Sequence, residues 1–321
     1  MAEYDVLDHF AGTGWGVACQ ALGLREAGVE IMPEAIASRE AAGFETIYND
    51  VWAGLQDARL VPAHRIYIAS PPCQTFSSAG HGSGREALDR VVGLIEEGAY
   101  KDASTLRKRG EQLGDDRTAL VLAPLAHIWA HRPVYVALEQ VPTVLPVWEA
   151  YASVLNNLGY SAWTGVLNSE DYGVPQTRKR AYLIARRDGK TAQAPETSAD
   201  RPTMFDALGW GLTGRPSPTL TSHLGVTRSP TGTQRVYLDA IERGEFVFKP
   251  VPPKESRVAK NGIGSKYAPN TVNVTSEEGA VLMSYPRDFP FQGSKTMIDL
   301  QIGNAVPPAV AKAVLRGFTD E

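Results

Sequence analysis

Short apolar runs alternate with amphipathic stretches through the first two-thirds of the chain. "YDVLDHF" reads as a strand and "GVACQALGLREAG" as a helix closing on Gly28. "VEI" is a second strand, and "PEAIASREAAG" a helix with Pro33 near its start and Gly43 at its end. "FETIYNDV" and "RIYIAS" predict a third and a fourth strand. "TALVLAPLAHIWAHR" predicts a helix that stops before Pro133, and "VYVALE" a fifth strand. "WEAYASVLNNLG" is a helix again, while "YSAWTGVL" and "RAYLIAR" are further strands. Strands alternating with helices predict an α/β fold: a doubly wound, mainly parallel sheet with helices on both faces. Ligands of such sheets sit at the carboxyl ends of the strands.

Two stretches break this rhythm. Residues 80–116 are Gly-rich and then charged, and a long connection of that kind predicts a functional, mobile element. From about residue 188 to 270 the helical period fades and Gly, Pro, Ser and Thr dominate, which predicts a smaller, loop-rich mixed β domain. "TSEEGAVLMSYP" then predicts a helix capped by Thr275 or Ser276 with acids in its first turn, and "PAVAKAVLRGF" a closing helix. The expected organisation is a first domain over 1–187, a second over 188–270, and a segment over 271–321 that returns to the first.

Composition narrows the class. With 43% hydrophobic and 21% charged residues the chain is an ordinary globular one. No apolar run approaches the roughly 20 residues of a membrane span, and the start carries no basic and then apolar leader. Two cysteines, Cys19 and Cys73, exclude a disulfide framework, and the expected setting is a reducing cytoplasm. The net charge is −4, yet residues 201–270 hold ten Lys/Arg against five Asp/Glu. That basic segment in an acidic protein suits a polyanion, although a solvated basic face explains the charge equally well.

Five local constellations could carry chemistry. "DHFAGTGWG" runs a strand into a glycine turn that opens a helix, so backbone and helix N-terminus can approach a ligand. Glu30 and Asp50, at the ends of the second and third strands, could accept hydrogen bonds from ribose hydroxyls and an adenine amino group, or could be helix caps. No P-loop lysine and no G-x-G-x-x-G spacing follows. "SPPCQ" places Cys73 behind Pro71 and Pro72 at the end of the fourth strand; a thiol there is a nucleophile or a small buried filler. Cys19, in mid-helix, reads as filler. In "VALEQV", Glu139 ends the fifth strand and would project into the same crevice, as a general acid, a base-edge contact or a structural acid. "PQTRKR" sets Arg178 and Arg180 on one face of a strand, suited to phosphate or carbonyl oxygens or merely an exposed basic edge. "QIGNAVPP" reads as a tight turn before the last helix. His127 and His131 could share a helix face, but the acid of H-E-x-x-H is missing, and His131 with Arg132 suits a helix C-terminus; no metal is expected.

In this order the five resemble the cytosine-5 DNA methyltransferases, through "FAGTGWG", "SPPCQTFS", "LEQV", "QTRKR" and "QIGNAVPP". The resemblance implies a Rossmann-like methyltransferase sheet and a target-recognition domain between the "QTRKR" strand and "TSEEG". Phe10, Gly12, Thr13, Gly14, Glu30, Asp50, Pro72, Asn304 and Ala305 would bind S-adenosylmethionine, released as S-adenosylhomocysteine. Cys73 would be the nucleophile and Glu139 the group on N3 of the cytosine. Arg178 and Arg180 would hold the base carbonyl, a phosphate or the catalytic loop. Gln140 departs from the family's usual Asn by one methylene. Residues 80–116 would be a lid over a flipped base, with Lys101, Arg107, Lys108 and Arg109 on phosphates. The implied partners are double-stranded DNA and a companion restriction endonuclease, with the enzyme itself a monomer. Three alternatives stay open: the same chemistry on tRNA, a DNA-binding relative without activity, and a nicotinamide-dependent oxidoreductase on the same sheet.

Overall fold

The computed structural model describes residues 4–72, 82–111, 116–221, 232–249 and 274–319. These fall into two compact units. One holds residues 1–167, 179–196 and 311–321; the other holds 168–178 and 197–310.

The first unit is a seven-stranded sheet in the order β3-β2-β1-β4-β5-β7-β6. Its strands are β1 (Val6–His9), β2 (Glu26–Val29), β3 (Glu45–Tyr48), β4 (Ile66–Ala69), β5 (Tyr135–Gln140), β6 (Ser161–Asn168) and β7 (Lys179–Arg186). The pairs β3–β2, β2–β1, β1–β4 and β4–β5 are parallel, while β7 runs antiparallel to β5. Every residue of β1, β4 and β5 is buried, as a parallel sheet covered on both faces requires. Leu7, Tyr67, Val136, Leu138 and Leu183 face a core completed by Trp148 and Tyr151 of helix Leu145–Asn157. On the sheet, Tyr135 stacks on Phe318 of the closing helix Pro308–Thr319 at 5.0 Å.

One expectation about the first unit needs correction. The first helix, Gly14–Ala21, does not run on to Gly28: Gly23 (φ 69°) ends that turn, and "EAGV" forms β2. Gly28 sits in the strand directly opposite Asp8. The described part of residues 80–116 is largely helical. Helices Gly82–Glu96 and Ala103–Glu111 bury Ala87, Leu88, Val91, Ile95 and Leu106 in the core. Three basic residues between and on these helices have partners within the protein. Lys101 lies over the Trp129 ring at 5.4 Å, Arg109 pairs with Glu97, and Arg107 is 3.8 Å from Asp50. Residues 80, 81 and 112–115 lie outside the described ones.

In the second unit Thr203–Asp206 and Thr275–Glu278 form capping boxes on helices Met204–Leu208 and Ser276–Leu282, the latter confirming Thr275 as N-cap. β8 (Gly211–Leu212) and β9 (Phe246–Val247) make a two-stranded antiparallel sheet beside helix Gly232–Glu242. Gly303 and Asn304 end helix Lys295–Asn304 rather than open the last helix.

Four of the six histidines gather under β1 and β4. His127 stacks on Tyr67 at 4.2 Å and on His131 at 4.5 Å; its Nε2 is 3.1 Å from His64 Nε2, so one donates to the other. His9 lies 4.9 Å from the His127 ring, and its Nδ1 is 3.0 Å from the Tyr67 hydroxyl. Burial lowers all four imidazole pKa values, His9 to about 3 and His127 well below 6.5. His131 therefore does not supply the positive charge expected at the helix end; Arg132, at φ 51°, sits there. Among the described residues no three His, Cys, Asp or Glu side chains are placed to hold a metal ion.

Histidines buried in the neutral form make stability fall in acid. The unfolded chain takes up protons as pH drops below about 6.5, and the folded chain does not, so stability present above that pH is lost below it. His9 alone accounts for about 2 kcal/mol between pH 6.5 and 5. Urea unfolding of His9→Leu should show a correspondingly flatter decline with acid than the parent, with the opposing acids Asp8 and Glu26 common to both proteins. Parallel declines would remove the cluster from the explanation.

Candidate active site

β1 hands the chain to a tight loop in which Phe10 (φ 61°) and Gly12 (φ 47°) both take left-handed backbone. Phe10 pays strain that a glycine would not, and its partly buried ring packs on the core. A Cβ on Gly12 would meet no atom within 4 Å, so conformation rather than space demands glycine there. The Gly12 N–H donates to Glu30 Oε2 at 2.9 Å, and its carbonyl accepts from Arg39 Nη1 at 3.0 Å. Thr13 precedes the helix without capping it through its side chain, and Gly14 begins it. One residue on, Trp15 Nε1 donates to Ser70 Oγ at 3.1 Å, tying the helix to the end of β4.

Glu30 follows β2. Its second oxygen accepts from the Ile31 and Met32 N–H groups at 2.9 and 2.8 Å. Asp50 follows β3 and does cap a helix, accepting from Trp52 N at 2.9 Å; it remains half-buried. Ile31, between the two acids in sequence, is 70% exposed. This apolar side chain escaped the sequence reading, although an isolated Ile directly after a strand-ending acid was a usable signal.

β4 ends in Ser70, Pro71 and Pro72. Pro71 is buried and its carbonyl accepts from the Gln140 side-chain amide, so the longer Gln reaches the corner from β5. Cys73 lies outside the described residues. Glu139 is 5% exposed, on the sheet face shared by Tyr182, its register partner, and Arg180, whose Nε is 3.2 Å from Glu139 Oε1. Because β1 to β5 are parallel and β7 antiparallel, Phe10, Gly12, Glu30, Asp50, Pro72, Glu139 and Arg180 all come from one edge of the sheet.

Arg178 and Arg180 do not share a strand face. β7 begins at Lys179, and Arg178 belongs to the second unit. There, 1% exposed, it donates to the carbonyls of Leu220 (3.1 Å), Gly303 (2.9 Å) and Ala305 (3.1 Å). It thus fixes the "GNA" end of helix Lys295–Asn304, where Asn304 is exposed and Ala305 half-buried.

A family model of the C-5 cytosine-specific DNA methylases matches residues 102–206 and 226–319. The chain belongs to that family. As a family member it is a DNA cytosine-5 methyltransferase that uses S-adenosylmethionine. Type II methyltransferase M.HgiDI of Herpetosiphon aurantiacus is 27% identical over 95% of this chain and 91% of its own. Type II methyltransferase M.AplI of Arthrospira platensis is 24% identical over 98% and 86%. Among solved structures, the Entamoeba histolytica methyltransferase EhMeth superposes with a TM-score of 0.66 at 15% identity, covering 100% of this chain and 99% of its own. S. pombe Dnmt2 gives 0.61 at 14%, covering 99% of each. These two show the fold.

The methylase's strand ends suit the nucleoside cofactor. Two carboxylates and an exposed Ile31 match ribose hydroxyls, an exocyclic amine and a flat apolar base, and acids at this edge would repel a phosphate. Burial of Arg178 gives a separate prediction. Arg178→Met leaves three carbonyls without their donor and should destabilise the protein by about 3 kcal/mol. A fall in the urea midpoint with an unchanged slope checks this; an unchanged midpoint refutes it.

Proposed function

We propose that this methylase transfers the methyl group to C5 of a cytosine rotated out of duplex DNA, through a covalent bond between Cys73 and C6. The observation that carries the proposal is the joint at the carboxyl ends of β4 and β5. Gln140 holds the carbonyl of Pro71, two residues before Cys73 in sequence, while the neighbouring Glu139 is buried against Arg180.

C5 of cytosine is a poor nucleophile. Attack of the Cys73 thiolate on C6 opens the C5–C6 double bond and places the electron pair at C5. Glu139 donates a proton or a strong hydrogen bond to N3, so that charge does not accumulate on the ring. Arg180 holds the Glu139 carboxyl in place. When bound, S-adenosylmethionine supplies an electrophilic methyl group, which C5 takes. Loss of the C5 proton to a base then returns the electron pair to the ring and expels the thiolate. The chemistry needs a face of the base that the duplex hides, hence the rotation.

On the cofactor side, Glu30 would accept from the ribose hydroxyls, Asp50 from the adenine amine, and Ile31 would cover a face of the adenine. Phe10, Gly12, Thr13, Gly14 and Pro72 would line the remainder. The expected target-recognition domain over residues 188–270, with its basic segment over 201–270, would read the DNA sequence. The named Type II relatives support a place beside a restriction endonuclease, as its protecting activity.

Cys73→Ser should abolish transfer of tritium from labelled cofactor to DNA, and Glu139→Gln should lower kcat about 10²- to 10⁴-fold with little change in cofactor affinity. Bisulfite sequencing of DNA from expressing cells checks base and context together. Full activity of Cys73→Ser would sink the covalent route, and methylation of tRNA in place of DNA in a side-by-side assay would overturn the substrate.

A further inference from the structure

We propose that Arg39 is a positioning residue for the cofactor loop, setting the Gly12 turn from behind the sheet before any cofactor arrives. The inference rests on the reading of Phe10–Gly14 as the S-adenosylmethionine loop.

Arg39 lies on helix Pro33–Ala41 and is fully buried. Each nitrogen of its guanidinium is engaged. Nε donates to Thr46 Oγ1 at 3.0 Å, and Nη1 to the Gly12 carbonyl at 3.0 Å. Nη2 donates to both Glu26 oxygens at 2.8 and 3.0 Å and to the Glu45 carbonyl at 2.7 Å. One planar group therefore ties β2, β3 and the loop after β1 together, a use that a lysine's single ammonium cannot copy.

The strand beneath has been cleared for it. A Cβ on Gly28 would stand 2.0 Å from Arg39 Nη2 and 2.3 Å from Cζ. Gly28 is opposite Asp8, whose two oxygens have no hydrogen-bond partner among the described residues. Burial pushes Asp8 well above the usual carboxylate range, with Glu26 adding to the rise and Arg39 opposing it. Burial also raises Glu26, against the pull of its ion pair with Arg39. Three ionisable groups packed behind a turn make poor use of a core if stability is their only role, since apolar groups of similar size serve as well or better. The geometry gives the arrangement a second use. Gly12 is held through both of its peptide units, its N–H by Glu30 and its carbonyl by Arg39. Its left-handed conformation is then fixed by contacts that the cofactor does not have to supply.

Three proteins test this: the parent, Arg39→Lys, and Arg39→Met combined with Glu26→Leu, which removes the ion pair as a unit and keeps the core apolar. Isothermal titration with S-adenosylhomocysteine and steady-state methylation of DNA are the readouts. Both variants should bind the cofactor product at least 10-fold more weakly and show a matching rise in KM for S-adenosylmethionine. Their KM for DNA, and kcat at saturating cofactor, should stay within about threefold of the parent. Folded variants, by their melting curves, with parental cofactor affinity would overturn the proposal. So would equal losses in kcat and in KM for both substrates, which mark a general loosening. If a variant fails to fold, Gly28→Ala, which displaces the guanidinium and leaves its chemistry intact, decides by the same two readouts. A parent that binds no S-adenosylhomocysteine would instead sink the reading of the loop.

Discussion

The sheet reverses its winding between β1 and β4. The chain leaves β1 toward β2 on one side and, after β3, returns to β4 on the other. In doubly wound sheets ligands bind at the carboxyl ends of the strands beside such a reversal. The other arrangements depend on this reversal. It sets the glycine loop after β1 beside the proline corner after β4, with Trp15 to Ser70 as the hydrogen bond across the gap. It also lines up Glu30, Asp50 and Glu139 along one edge, since each lies at or just beyond the carboxyl end of its own parallel strand. Side chains from neighbouring strand ends thus meet along one edge without any long-range folding device.

The two faces of the sheet support that edge differently. Under β1 and β4, on the Leu7 face, neutral imidazoles and tyrosines stack around His127. On the Asp8 face, Glu26 and Arg39 form a charged pair. β1 is therefore polar on both sides at its last two positions, immediately before the strained Phe10 and Gly12. Packing alone holds a strand, but it slides; directed hydrogen bonds hold a particular peptide in a particular orientation. The polar residues concentrate where orientation matters.

Much of this was legible in the sequence. Strands, strand-ending acids and the capped helix at Thr275 follow from local periodicity and turn chemistry, and those signals are short-ranged. What escaped reading depends on distant partners. Gly28 looks like a helix stop because glycine commonly is one, whereas here it is a gap in a strand left for a side chain from the next helix. Nothing local in "PEAIASREAAG" marks Arg39 as buried, because its partners Gly12, Glu26, Glu45 and Thr46 lie outside that helix. The helix Gly82–Glu96 hid behind its glycine-rich start, although Ala87, Leu88, Val91 and Ile95 carry the helical period. The insertion of β7 between β5 and β6 is a matter of topology that neither strand's own pattern encodes. Arg178 illustrates the limit most plainly: two arginines alternating in "TRKR" share a face only if both are in the strand, and the strand starts between them.

Gln140 shows how a departure from a family pattern can be absorbed. Its amide donates to the Pro71 carbonyl while its oxygen accepts from the N–H of Val141. The proline has no N–H of its own to give, and its fixed φ leaves the carbonyl direction as the freedom that a neighbour can restrict. A side chain one methylene longer than Asn reaches across from β5 to make that restriction and is itself folded back onto its own backbone, which limits the entropy lost in doing so. The corner that introduces Cys73 is consequently steered by β5, the strand that also presents Glu139. A displacement of β5 would therefore carry the Pro71 carbonyl and Glu139 together, where independent supports would let them drift apart.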